Sequence, residues 1–160
     1  MARLLEFSTG MKNYMLGTGS LLAALNTMGS GGASGCEIRC YSGTIPASPD
    51  DAITGTKLLT IKNGAAFITW EADTTNKTVK KVAAETWSGT VGTATNLTLT
   101  HFRIVSSATD DGDDASTTDK RVQGSIGADP ANYDLYMTQP VVNTSDVKTI
   151  ASFVLSILDA

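Results

Sequence analysis

Histidine occurs once in the 160 residues, at His101, and cysteine twice, at Cys36 and Cys40. That is too few soft ligands for a four-ligand zinc site built from Cys and His alone. If Cys36–Tyr41 is extended, residues four apart share a face but stand about 13 Å apart. A disulfide needs Cα atoms within about 7 Å, so free thiols are expected. Basic residues are outnumbered, 12 Lys and Arg against 16 Asp and Glu, giving a net charge of -4. No basic footprint for nucleic acid or anionic lipid is present. No apolar run approaches the 18 or so residues of a membrane span. The first 28 residues also lack the continuous apolar stretch of a secretory leader, so synthesis and retention in a cytoplasm are expected. Aromatics make up 6%, a small platform for stacking sugars. Proline occurs 4 times, against 23 Thr and 14 Ser, a composition for short strands joined by polar turns rather than for a helical bundle.

One domain is the default at this length, with a core that needs neither metal nor disulfide. The first 28 residues differ from the rest. Ser8 and Thr9 form a candidate N-cap pair ahead of Met11, Tyr14, Met15 and Leu16, and Ser20 can cap a second short helix carrying Leu21, Leu22, Leu25 and Met28. Residues 29–35 have linker composition, Gly-Ser-Gly-Gly-Ala-Ser-Gly. The chain is therefore divided into an apolar helical arm (1–28), a tether (29–35) and a β-domain (36–160).

Beyond residue 36 the periodicity is near two. Strands are expected at Cys36–Tyr41, Lys57–Lys62, Ala65–Trp70 after an Asn63-Gly64 turn, Thr78–Val82, Asn96–Val105, Arg121–Ile126, Tyr133–Met137 and Val147–Leu158. Lys77, Lys80 and Lys81 are expected to solvate an edge, and residues 87–94 to form a glycine-rich connection. Seven to nine such strands predict a mainly β fold, an antiparallel β-sandwich of jelly-roll or immunoglobulin-like type.

Catalytic constellations are not visible. His101 has no nucleophile elbow and no neighbouring thiol, and reads as a strand histidine rather than a general base. Asp110, Asp111, Asp113 and Asp114 supply hard oxygens around Gly112, a weak candidate for calcium. They lack the alternating ligand spacing of an EF-hand and read as a solvated loop tip. No phosphate-binding glycine motif occurs, and no cofactor is expected.

Several segments together do form a pattern. They are Ser8-Thr9-Gly10 and Leu16-Gly17-Thr18-Gly19-Ser20, then Tyr41 through Ala52 with Thr54-Gly55-Thr56. Trp87-Ser88-Gly89, His101-Phe102-Arg103-Ile104-Val105 and Asp110-Asp111-Gly112 follow. Gln123-Gly124-Ser125-Ile126-Gly127, Asp134-Leu135 and Ile150-Ala151-Ser152-Phe153 complete it. In that order they resemble a small family of tailed-bacteriophage proteins encoded among capsid and tail genes. The resemblance implies a non-enzymatic virion structural protein, made in the host cytoplasm and located in the virion. A capsid decoration (cement) protein bridging neighbouring capsid subunits is the leading expectation. A tail or neck component or receptor-facing adhesin is the alternative, and a virion-borne cell-wall hydrolase ranks last. The expected partners are the major capsid protein or other virion proteins, with a dimer or trimer of the chain itself on the particle, and with neither nucleic acid nor membrane. Phe7, Met11, Tyr14, Met15, Leu21, Leu22 and Leu25 are the candidate anchors of a docking arm, which either clasps a neighbour or folds back to cover an edge of its own sandwich.

Overall fold

The computed structural model describes residues 5–28, 35–106 and 110–156. The tether at 29–34, Thr109 and the last four residues, where the final strand was expected to end, lie outside them. The fold is mainly β, with a short helical segment at its N-terminal end.

The central pair is β2 (Glu37–Tyr41) and β8 (His101–Val105), every residue of which is buried. They lie side by side in a sheet that continues through β9 (Val122–Gly127) to β1 (Glu6–Phe7) on one side. On the other it continues through β3 (Lys57–Asn63) and β6 (Trp87–Thr90) to β12 (Val147–Ile150). These pairings are antiparallel; β10 (Leu135–Tyr136) joins β9 in parallel. A second sheet holds β4 (Trp70–Asp73), β5 (Thr78–Lys81) and β13 (Val154–Ser156), and a ribbon pairs β7 (Leu97–Thr98) with β11 (Val141–Val142).

Alternation along β2, β8 and β9 divides the main sheet into an apolar and a polar face. Ile38, Cys40, Phe102, Ile104 and Val122 belong to the apolar core. Aromatic rings connect it to the second sheet in a sandwich-like arrangement. Trp87 meets Trp70 edge-on at 4.8 Å, while Phe153 lies 5.5 Å from both Trp70 and Phe102. Such tilted pairs add roughly 0.5–1.5 kcal/mol each beyond the area they bury. Cys36 and Cys40 are free and buried. The Trp70 indole N–H donates to Cys36 Sγ at 3.1 Å, and burial pushes the Cys36 thiol up to about 12.

The arm is integrated into this body. Ser8 caps α1 (Thr9–Gly17), accepting from Met11 N at 3.1 Å. Its hydroxyl also accepts from Arg121 N at 2.9 Å and donates to the Asp119 carbonyl at 2.7 Å, so its capacity is fully used. Asp50 accepts from Thr9 N at 2.9 Å and Thr9 Oγ1 at 2.6 Å, placing a carboxylate at the positive end of α1. At Gly10 a Cβ would lie 2.3 Å from the Thr118 carbonyl oxygen, so only glycine lets the helix come this close. Ser20 caps α2 (Leu21–Asn26), as expected. From the end of α2 the Asn26 amide pairs with the backbone of Trp70, donating to its carbonyl at 2.9 Å and accepting from its N–H at 2.8 Å.

Several expected elements differ. Residues 87–90 form a strand, with Gly89 so close to β3 that a Cβ would sit 2.1 Å from the Thr60 carbonyl oxygen. The expected strand 65–70 is confined to bridges at Ala66 and Ile68, and the regular strand starts at Trp70. The segments 96–105 and 147–158 each divide into two strands that serve different sheets. Lys81 is buried, donating to the Val82 carbonyl at 3.1 Å and to the Glu85 carbonyl, with Nζ 5.6 Å from the Trp87 ring.

Candidate functional site

The polar face of the main sheet gathers most of the buried ionisable side chains. Register places Thr60, Arg39, Arg103, Gln123 and Glu6 in one row across β3, β2, β8, β9 and β1. Tyr41, His101 and Ser125 form the next row. Like charges on adjacent strands repel, yet Arg39 and Arg103 are directly opposed. Oxygens from two loops covering this face resolve the conflict.

Among the described residues, no carboxylate is in hydrogen-bond contact with Arg103. Its guanidinium donates to the Gly112 carbonyl at 2.6 Å, Asp51 at 2.7 Å, Ser48 at 3.2 Å and Gln123 Oε1 at 3.0 Å. Burial and then the repulsion of Arg121 lower its pKa. Arg121 grips Asp110 with two bonds of 2.7 and 2.6 Å and also reaches the Asp114 carbonyl at 2.7 Å and that of Pro49 at 3.3 Å. Arg39 pairs with Glu37 at 2.6 Å and donates to the Asp111 carbonyl. The loops also bond each other, Ile53 N to the Asp113 carbonyl and Ser116 N to the Asp50 carbonyl, both at 2.8 Å. Three guanidinium groups thus hold residues 46–55 and 110–119 onto the sheet, Arg103 and Arg121 through four hydrogen bonds each and Arg39 through its bond to Asp111.

The weak metal candidate takes a different form. Asp110 is buried against Arg121, and Asp113 accepts from the Tyr41 hydroxyl at 2.8 Å. Asp111 and Asp114 remain beside a cavity of about 410 Å³ that Arg121 also lines. Among the described residues, no group of three or more His, Cys, Asp or Glu is placed to hold a metal ion. The expectation of a solvated loop tip is corrected for Asp110, whose buried carboxylate is held by the Arg121 guanidinium through two hydrogen bonds.

His101 is wholly buried and its ring stacks on Tyr41 at 5.2 Å. Thr100 Oγ1 donates to the Gly43 carbonyl at 2.7 Å, so it accepts from His101 Nδ1 at 2.9 Å. This network assigns the proton to Nδ1. Nε2 is, among the described residues, the buried side-chain nitrogen or oxygen without a hydrogen-bond partner. Burial, then Arg103, lower its pKa to about 4.

The arm residues proposed for docking are engaged within their own chain. Met11, Leu21 and Leu25 are fully or nearly fully buried core residues, while Phe7, Tyr14, Met15 and Leu22 pack partly buried against that core. Lys120 Nζ sits 4.6 Å above the Tyr14 ring. Of the two arrangements expected for this segment, folding back on its own chain is the one seen here: the apolar stripe is used internally, because β1, the Ser8 cap and Asn26 fix both ends of the segment to the body.

A separate depression opens at the edge of β9. There β1 covers Val122 and Gln123 and β10 covers Ile126 and Gly127, leaving Gly124 and Ser125 between them. A cavity of about 640 Å³ lies over that gap, bounded by Glu6, by Ile45-Pro46-Ala47 and by residues of the 129–134 turn. The arginine layer and this cavity were missed by sequence reasoning. The one available signal was arginine at alternating strand positions beside apolar neighbours, as in Ile38-Arg39-Cys40 and Phe102-Arg103-Ile104.

The fold and its polar layer define a mainly β protein whose sheet face is closed by two arginine-held loops. No family model, no curated protein and no solved structure matches the chain. Among the described residues, no helix is long and apolar enough to cross a membrane.

Proposed function

We propose that the chain is a non-enzymatic structural protein of a tailed-phage virion, acting as a capsid decoration protein that bridges neighbouring capsid subunits. The observation that carries this reading is the arginine layer. The buried guanidinium groups of Arg103 and Arg121 bond both loops, and Arg39 adds a bond to the second, an arrangement that stiffens a body. A rigid, loop-clamped sandwich suits a lattice-bound protein that must survive outside the cell. The net charge of -4 suits an outer surface away from genome phosphates. The resemblance of the sequence pattern to tailed-phage proteins encoded among capsid and tail genes points the same way.

Docking through a pre-folded surface replaces docking through a mobile arm. Leu97, Tyr136, Val141 and Val147 are exposed apolar residues outside the arginine layer, available for lattice contacts. Modest affinity at each contact suffices when many copies decorate one shell. The test mixes purified protein with expanded, undecorated heads and counts bound copies by quantitative gel densitometry. Hundreds per particle are expected. Six or twelve copies at the neck would reassign the chain to the tail, and no binding would overturn the virion reading.

A further inference from the structure

We infer that the cavity at the β9 edge is a binding site for a basic side chain, arginine or lysine, presented by a partner protein. The floor of the cavity is the stretch of β9 that neither β1 nor β10 covers. Asp134 closes part of it, accepting from Ser125 N at 2.9 Å and Ser125 Oγ at 2.8 Å, both through Oδ2. Glu6 stands at the β1 end, where its Oε2 accepts a long bond of 3.3 Å from Gln123 Nε2. Among the described residues, no hydrogen bond reaches Glu6 Oε1 or Asp134 Oδ1.

Charge selects the ligand class. The ionisable acids lining the cavity are Glu6, Asp129 and Asp134, and no Lys, Arg or His lines it. A phosphate, sulfate or acidic sugar would meet the repulsion of these three carboxylates. Burial above all raises the Glu6 pKa, against the opposing bond from Gln123 and the charge of Lys12, and Asp134 and Asp51 add repulsion. A cation entering the cavity would relieve that repulsion.

Shape selects within the class. Ile45, Pro46 and Ala47 give the cavity an apolar wall, and Tyr133 stands on the other side. The Tyr133 ring packs against Gly127, where a Cβ would come within 2.4 Å of it. An apolar wall leading to carboxylates matches a side chain with a methylene stem and a charged head. A cation beside a tyrosine ring gains further attraction from the ring face. The inference rests on the cavity alone and holds whether or not the partner is a capsid subunit.

The test titrates Nα-acetyl-arginine methylamide and Nα-acetyl-lysine methylamide into isotope-labelled protein, following backbone amide shifts. Nα-acetyl-norleucine methylamide and N-acetylglucosamine serve as controls. Localised, saturating shifts at Gly124, Ser125, Asn132 and Tyr133 are expected with the two cations, with Kd on the order of millimolar for a single side chain. Glu6→Gln is expected to weaken binding about three- to tenfold. Raising the salt to about 0.5 M should weaken it similarly in the unaltered protein, a readout independent of how the variant folds. Absence of localised shifts, an equal response to norleucine or the sugar, or insensitivity to salt would each overturn the inference.

Discussion

Replacing His101 with phenylalanine removes a titrating group while keeping an aromatic ring against Tyr41. In the folded protein the imidazole takes up its proton only near pH 4, well below the usual 6.5, chiefly because it is buried. Among the described residues Nε2 has no hydrogen-bond partner, so an imidazolium would bury an unsatisfied N–H. The unfolded chain meets no such obstacle and protonates near its ordinary value. Between those two pH values protons therefore favour the unfolded state. The contribution of His101 is complete above about pH 6.5, drains by about 1.4 kcal/mol per pH unit, and is gone below about pH 4. The total is about 3 kcal/mol, a large share of the stability of a domain this size. Urea unfolding of the parent and of His101→Phe at pH 7.5, 6.5, 5.5, 4.5 and 3.8 measures it. Taking the difference between the two proteins cancels the carboxylates, which titrate in both. The parent's advantage should fall by about 3 kcal/mol across the series. A difference that stays flat between pH 6.5 and 4, or an imidazole resonance titrating near 6.5 in the folded state, would refute the reasoning.

Two further outcomes follow from the packing. Leu25→Ala should cost about 2–5 kcal/mol in chemical denaturation, the price of a cavity in a closed core; a cost below about 0.5 kcal/mol would mean that the segment does not pack in its own chain. Arg103→Lys should destabilise by about 3 kcal/mol or more and expose residues 46–55 and 110–119 to limited proteolysis, because an ammonium cannot span the four oxygens that the guanidinium fork reaches.

Much of the framework was readable from local chemistry. Ser8 and Ser20 were recognisable as helix caps, and the strands at 37–41, 57–63, 78–81 and 122–127 followed from alternation. Alternation failed where a strand changes partners. Leu97–Thr98 pairs with β11, and three residues further on His101–Val105 has joined the main sheet. The pattern of side chains continues through that switch, so periodicity carries no trace of it. Trp87–Thr90 was hidden because Ser88-Gly89 has the composition of a turn, although the glycine serves close strand approach. The apolar stripe at 11–25 was legible as a surface to be buried, but the same stripe suits a neighbour's groove or the chain's own core. Only the distant partners Arg121, Asp50 and Trp70 decide between them. The arginine layer left almost no signature, since its acceptors are mainly main-chain oxygens, which every residue type carries.

That last property has a consequence for how the molecule can vary. Because Arg103 recognises Ser48 and Asp51 through their peptide oxygens, its grip on that loop depends on the path of the chain more than on the side chains along it, whereas its third acceptor, Gly112, sits at positive φ with no room for a Cβ beside Val105. Outward-pointing positions in the loop of Ser48 and Asp51 can be rewritten while the course of the chain persists. The scaffold thereby separates keeping its shape from choosing what its surface displays.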